Sequence, residues 1–285
     1  MTLLHQHASP KALHAIRLMV FGLWFVSVAR DPLEPISWLP LSVFEPAGVL
    51  AMLPVGMRSW LLQPGFLLGL KVLTAASLGA VLLNGGRTLA VLACVCLTVQ
   101  QGITRGFAGH IDHKDLVLLY AAYLLAALPL ADGLVKQDPS ASHSRSYTLS
   151  GIPLVAILTT LGVTYTLVGV HRLVHGGLEV FTSGSLTFWT LRDSYQVLHP
   201  AWGLGRFLLQ QRTLNVLLNM GFPIVTVFEV LAPLCLVSRT FRAAFLVVMV
   251  PFHLFSWIFM EVFFWKNLAL YVLCVDWSRV KARVT

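Results

Sequence analysis

The amino-acid sequence predicts an all-α polytopic membrane bundle, and three observations carry that expectation. Hydrophobic residues make up 57% of the 285 residues and charged residues only 11%, with a mean hydropathy of +0.78. That is more apolar surface than one soluble core can bury. The apolar residues gather into runs near the length of a bilayer crossing. The formal charge of +8 is dispersed among segment ends and loops, with no aromatic-interleaved basic stripe. It reads as topology and headgroup contact, so the lipid bilayer is the expected partner and nucleic acid is not.

The first span is expected over Leu13 to Ala29, behind Lys11 and Arg17. Ser27-Val28-Ala29 has the small-residue look of a cleavage site, but the stretch is long enough to cross and is read as staying on the chain, with Arg17 snorkelling to the interface. Further runs lie at Phe66 to Leu83, Thr88 to Gln100, Leu116 to Ala131, Gly151 to Val170, Leu214 to Val237 and Phe241 to Met260, with a short one from Leu268 to Val275. Seven or eight spans are therefore expected, in one membrane domain covering residues 1–285. The third and fourth runs are shorter than the usual ~20 residues and must extend into their polar flanks or cross where the bilayer is thinned. An even count puts both termini on one side, which the basic tail Arg279, Lys281 and Arg283 marks as cytoplasmic.

Two long connections fall on the opposite side. Arg30 to Pro64 carries six prolines interleaved with Trp38, Phe44 and Trp60; proline stiffens it, and aromatics seat it in the headgroup layer. His171 to Thr213 carries Trp189, Tyr195 and Trp202 among short apolar patches, which suits interfacial helices. The two are expected to form a lid over the outer mouth. Asp132 to Tyr147 is a plain polar linker. Cys94, Cys96, Cys235 and Cys274 all fall inside apolar runs without metal-ligand spacing and read as packing residues.

Ionisable groups against hydrocarbon are costly, and this makes them candidates for function. His110 and His113 are three apart before the fourth span, and His171 and His175 are four apart at the end of the fifth; with His199 they share the outer side. Such pairs suit zinc, iron or copper, or are interfacial histidines bonded to water and loops. Arg172 is either a lipid-phosphate anchor or the electrostatic centre of a site for an anionic oxygen. Arg30, Arg58, Arg105 and Lys71 take the anchor reading. Glu229 and His253 lie inside apolar runs. An unpaired Glu229 would cost about 2.5–3.5 kcal/mol near a helix centre, so it is expected to pair with Arg17 or His253 as a structural inter-helix bond. There is no P-loop, no G-x-G-x-x-G and no G-x-S-x-G, which leaves nucleotide-driven transport and serine hydrolysis without support.

Several stretches resemble the HTTM family, the membrane domain of vitamin K-dependent gamma-glutamyl carboxylase and its bacterial relatives. They are Ala12 to Arg17, Asp112-His113-Lys114-Asp115-Leu116, Tyr165 to Leu173, Phe228 to Leu234, and Phe252-His253-Leu254 after Arg239 and Arg242. The resemblance implies an enzyme that oxygenates vitamin K hydroquinone near one membrane face and uses the resulting base on a glutamate. His113 matches the family's histidine at the reacting quinone. Where that family has two lysines, the second held to deprotonate the hydroquinone, this chain has His171 and Arg172. Arginine stays protonated and cannot take that role. The carboxylase's large lumenal portion has no counterpart before Thr285, so a protein substrate would need a separate subunit.

The expectation is thus an HTTM-like protein of a bacterial cytoplasmic membrane with an outer polar pocket of His110, His113, His171 and Arg172, and His175 beside it. As an enzyme it would take vitamin K hydroquinone, menaquinol or another quinone-like lipid, with Arg172 holding the oxyanion and His113 or His171 accepting the proton. The alternatives are a non-catalytic binding or assembly protein, whose cluster holds helix ends together, and a His-ligated metal-dependent oxidase.

Overall fold

The computed structural model describes residues 10–107, 113–127, 152–177, 186–188, 190, 204–260, 262 and 264–274, and among these every regular element is helical. The chain divides into two compact units, His7–Pro153 and Leu154–Thr285 with Met1–Gln6. Among the described residues, six helices are long and apolar enough to cross a membrane.

In the first unit these are α1 (Pro10–Arg30), α3 (Pro64–Leu82) and α4 (Arg87–Thr104). A short α2 (Val55–Leu61) precedes α3, and α5 (His113–Ala127) follows α4. Helix α1 packs on α3 and α5, and α4 lies against the same two, which closes a four-helix ring. The ring follows from the stripes each helix buries. On α1 these are Leu13, Ile16, Val20, Trp24, Ser27 and Val28; on α3, Leu67, Leu70, Thr74, Ser77, Leu78 and Val81. The buried stripe of α4 includes the small residues Ala90, Ala93 and Cys94 beside Leu97, which lets its backbone come close to its neighbours. As the shortness of its apolar run requires, α4 extends into its flanks, through Gln100, Gln101 and Thr104. All four cysteines are buried and free. The expected fourth span is represented by the 15 residues of α5, which start three residues before the apolar run.

The turn from α3 to α4 closes with a left-handed residue, Asn84, at φ 69°. The Gly85 N–H then reaches back to the Ala80 carbonyl at 2.7 Å, the six-to-one bond of a Schellman ending. A Cβ on Gly85 would lie 2.5 Å from that same oxygen, which is why glycine stands there. Arg17, expected at the interface, donates to the Gly85 carbonyl at 2.8 Å and so ties α1 to this turn.

The second unit contains α6 (Ile152–Gly176), α7 (Leu204–Gln210), α8 (Arg212–Val230), α9 (Arg239–Met260) and α10 (Trp265–Leu270). Helix α9 packs on α7 and α8, and on the 3₁₀ turns Ala232–Leu236 and Tyr271–Cys274. Two boundaries differ from expectation. Helix α6 continues past Val170 to Gly176 and stops where Gly177 turns left-handed at φ 53°, its N–H closing on the Leu173 carbonyl. The expected connection from His171 therefore begins as helix. The run Leu214 to Val237 is not one span: α8 ends at Val230 because Pro233 has no N–H to continue the ladder. The expected short span Leu268 to Val275 is a six-residue helix followed by a four-residue 3₁₀ turn.

Candidate functional site

The second unit concentrates buried polar groups on one stripe of α6. Residues 162, 165, 166, 169 and 172 recur at helical spacing and face the end of α8. Two of them are glycines for steric reasons. A Cβ on Gly169 would come within 2.8 Å of Val230 Cγ2 and 2.9 Å of the Val230 nitrogen, and one on Gly162 within 3.4 Å of the Pro233 backbone. Small residues at these positions let α6 and the 229–233 backbone meet. Between the glycines, Thr166 donates at 3.1 Å to the Val230 carbonyl, an oxygen at the broken end of α8 where no water is at hand in a membrane interior.

One turn beyond, Arg172 Nη1 donates to Glu229 Oε2 at 2.5 Å. Glu229 is 2% exposed, whereas the Arg172 side chain keeps 26% of its surface open. The guanidinium also lies 4.9 Å from the Phe222 ring centroid, a cation–π contact. This corrects one expectation: Glu229 is paired, but its partner is Arg172 and neither Arg17 nor His253. Arg172 meets a protein carboxylate with one of its donors.

About 10 Å back along α6, Tyr165 is the hub of a second buried cluster. Its hydroxyl lies 2.9 Å from His253 Nε2 and 2.5 Å from the Tyr271 hydroxyl, and it accepts from Asn267 Nδ2 at 3.3 Å. His253, Tyr271 and Asn267 are buried as deeply as Tyr165. Phe245 presses edge-on against both tyrosine rings, and Phe264 covers the imidazole at 4.9 Å. A hydroxyl has one hydrogen and two lone pairs. With Asn267 as a donor, the chain runs either from Tyr271 through Tyr165 to His253 or in reverse. Both directions use every capacity of the Tyr165 hydroxyl, so one proton can be relayed between His253 and Tyr271 without breaking the chain.

The histidines divide differently. His171 and His175 are exposed, with ring centroids 4.0 Å apart. His175 Nδ1 donates to the His171 carbonyl at 3.0 Å, which leaves Nε2 as the basic nitrogen of the neutral ring. Both are exposed, whereas Arg172 points to Glu229. His110 and His199 lie outside the described residues; His113 opens α5, in the other unit, and its side chain lies outside them too. Among the described residues, no three His, Cys, Asp or Glu side chains gather as metal ligands.

Among its described residues the first unit also holds an ion pair with a buried carboxylate. Arg105, after α4, donates to Asp115 in the first turn of α5, where the carboxylate is 4% exposed. Arg105 therefore answers a protein carboxylate, and Lys71 lies 3.9 Å from Glu34, instead of both serving only as lipid anchors. In comparisons with known proteins, no family model, no curated protein and no solved structure matches the chain.

Tyr165, Tyr271 and Asn267 escaped the sequence reading as site residues. Tyr165 had a usable signal, since it stands seven residues before Arg172 and so on the same helical face. Tyr271 and Asn267 had none, because the one lies in the short run Leu268 to Val275 and the other just before it, with no spacing that ties either to Tyr165.

Proposed function

We propose that this chain is an HTTM-like integral membrane protein that takes a quinol or a related redox lipid beside Arg172. The observation that carries the reading is the buried arrangement of Arg172–Glu229 next to the Tyr165–His253–Tyr271–Asn267 cluster. A guanidinium has five donors, and Glu229 engages one; with part of its surface open, Arg172 has donors left for a ligand oxygen. A hydroxyl–imidazole chain alongside accepts and passes a proton. The quinol, as substrate, supplies the electrons. On this reading His253 handles the proton in the second unit, with His113 or His171 as the proposed alternative acceptor. Counting α5 as a crossing gives the seven-span form, and a bacterial cytoplasmic membrane is its proposed home.

A second reading has its own support. Because Glu229 neutralises Arg172 and Thr166 satisfies the Val230 carbonyl, the same residues fasten α6 to α8 in a binding or assembly protein without turnover.

The deciding experiment is oxygen-dependent conversion of vitamin K hydroquinone or menaquinol to epoxide by the purified protein in nanodiscs. Arg172→Lys, His113→Ala and Tyr165→Phe are run beside the natural chain. Product from the natural chain, lost in His113→Ala and reduced in Tyr165→Phe, supports the enzyme. Folded protein that neither turns over nor binds either quinol refutes it and leaves the assembly reading.

A further inference from the structure

The Arg30–Pro64 connection is not absorbed by that function, and it has two unlike faces. Its inner face is core: Leu33, Phe44, Leu50, Leu61 and Leu62 are buried with Leu67, Leu70 and Ile103. Its backbone is fixed to the end of α4, where the Glu45 N–H donates to the Gly106 carbonyl at 2.8 Å and the Ala47 N–H to the Gly102 carbonyl at 3.0 Å. Both glycines are needed for this approach. A Cβ on Gly102 would lie 2.9 Å from the Ala47 carbonyl oxygen and 2.8 Å from Leu50 Cδ1, and one on Gly106 would lie 2.4 Å from the Phe44 ring. The segment thus holds a set position over the end of the ring that carries Arg105, Asp115 and the start of α5.

The outer face is apolar and uncovered: Trp38 is 79% exposed, Met52 87% and Val55 73%, with Val43 and Val49 beside them. Residues 46–57 carry no charged side chain. So many exposed large apolar side chains within one short segment mark a surface that something other than water covers. Yet the segment does not fit the hydrocarbon centre. It is built of 3₁₀ turns over Glu34–Trp38, Leu41–Val43 and Gly48–Met52 and interrupted by six prolines, which remove donors and leave carbonyls that only water or headgroups can reach. Leu68, Val72 and Leu73 are likewise exposed on α3, the helix of membrane-crossing length that follows the segment in the chain. The lipid that a crossing α3 requires is the occupant at hand for the segment's apolar face as well.

We infer that residues 46–57 form an in-plane membrane insertion, with Val49, Met52 and Val55 dipped about 5–10 Å into the boundary between headgroups and acyl chains. The occupant of the apolar face is bilayer lipid, and Trp38 and Trp60 mark the headgroup level. Because the insertion is fixed to α4 by backbone bonds, it holds the Arg105–Asp115 end of the ring at the depth of the lipid boundary.

The inference rests on the membrane reading, so its test carries a control for that reading. Nitroxides are placed at Met52→Cys, Val55→Cys and, on α3, Val72→Cys, in full-length protein in nanodiscs. The four native cysteines are buried, and the labelled natural chain gives their background. Relaxation by oxygen reports lipid, and relaxation by a water-soluble nickel chelate reports solvent. The expected result is oxygen relaxation with loss of nickel relaxation at Met52 and Val55, comparable with Val72. Nickel relaxation at Met52 and Val55 but not at Val72 overturns the insertion alone. Nickel relaxation at all three overturns the membrane reading with it. Protection from both reagents at Met52 and Val55 also overturns the insertion, in favour of a protein surface such as a second copy.

Discussion

Breaking the Arg172–Glu229 pair from either side has unequal costs, and removing both partners together restores stability. With charge centres about 4 Å apart in an effective dielectric of about 20, the attraction is about 4 kcal/mol. It is offset by several kcal/mol of lost hydration for each ion, so the intact pair is worth little net. A single substitution keeps the penalty and loses the attraction. Arg172→Met strands Glu229, which is 2% exposed, at a cost of about 3–5 kcal/mol. Glu229→Leu strands an arginine that keeps 26% exposure and stands four residues from the end of α6, about 6 Å of rise. That side chain can reach the interface, which limits the loss to about 1–3 kcal/mol. The double variant Arg172→Met with Glu229→Leu fills the site with apolar volume and should match the natural protein or exceed it. In thermal unfolding of the four proteins in nanodiscs, Arg172→Met should lower Tm by roughly 6–20 °C, Glu229→Leu by less, and the double variant hardly at all. Additive losses in the double variant would refute the reasoning, since two residues that do not interact lose stability independently.

Gly169→Ala should cost about 1–3 kcal/mol, because its methyl would press on the Val230 backbone and lift α6 off α8; denaturation midpoints against a control alanine at exposed Gly56 would show it. Tyr165→Phe removes one hydroxyl from three partners at once and should lower stability by about 1–3 kcal/mol, more than Tyr271→Phe, which removes only the bond to Tyr165. Equal losses would contradict the hub geometry. Asp115→Ala removes the carboxylate that Arg105 meets and should destabilise the first unit by about 1–3 kcal/mol, and the double variant Arg105→Met with Asp115→Ala should recover part of it; thermal unfolding of the two variants would report the difference. Gly106→Leu should release the 44–47 backbone from α4 and raise amide exchange at Glu45 and Ala47, leaving exchange in α9 unchanged.

Most of the helical order was legible from hydropathy. Apolar runs near bilayer length mark α1, α3, α4, α6, α8 and α9 within a few residues, because a segment that must satisfy its own backbone in lipid carries that requirement in local composition. Helix ends were less legible where polar residues continue a helix. Val170 ends the apolar run but not α6, and the better signal was Gly176-Gly177, whose second glycine supplies the left-handed cap. Pro233 likewise marked the end of α8 inside a run that hydropathy reads as unbroken.

The sequence by itself determined that Glu229 needs a partner, since a charge in hydrocarbon without one is too costly to keep. It could not determine which partner, because Arg17, Arg172 and His253 all satisfy the same chemical demand. Only the tertiary structure chose Arg172, 57 residues away, by setting α6 against the end of α8 through Gly162, Gly169 and the break at Pro233. The same holds for Tyr165, brought to His253 and Tyr271 across 88 and 106 residues. Hydropathy and helical periodicity are properties of neighbours in the chain. Which helix faces which is decided by steric fit and hydrogen-bond satisfaction between segments, and that is where the candidate site was made.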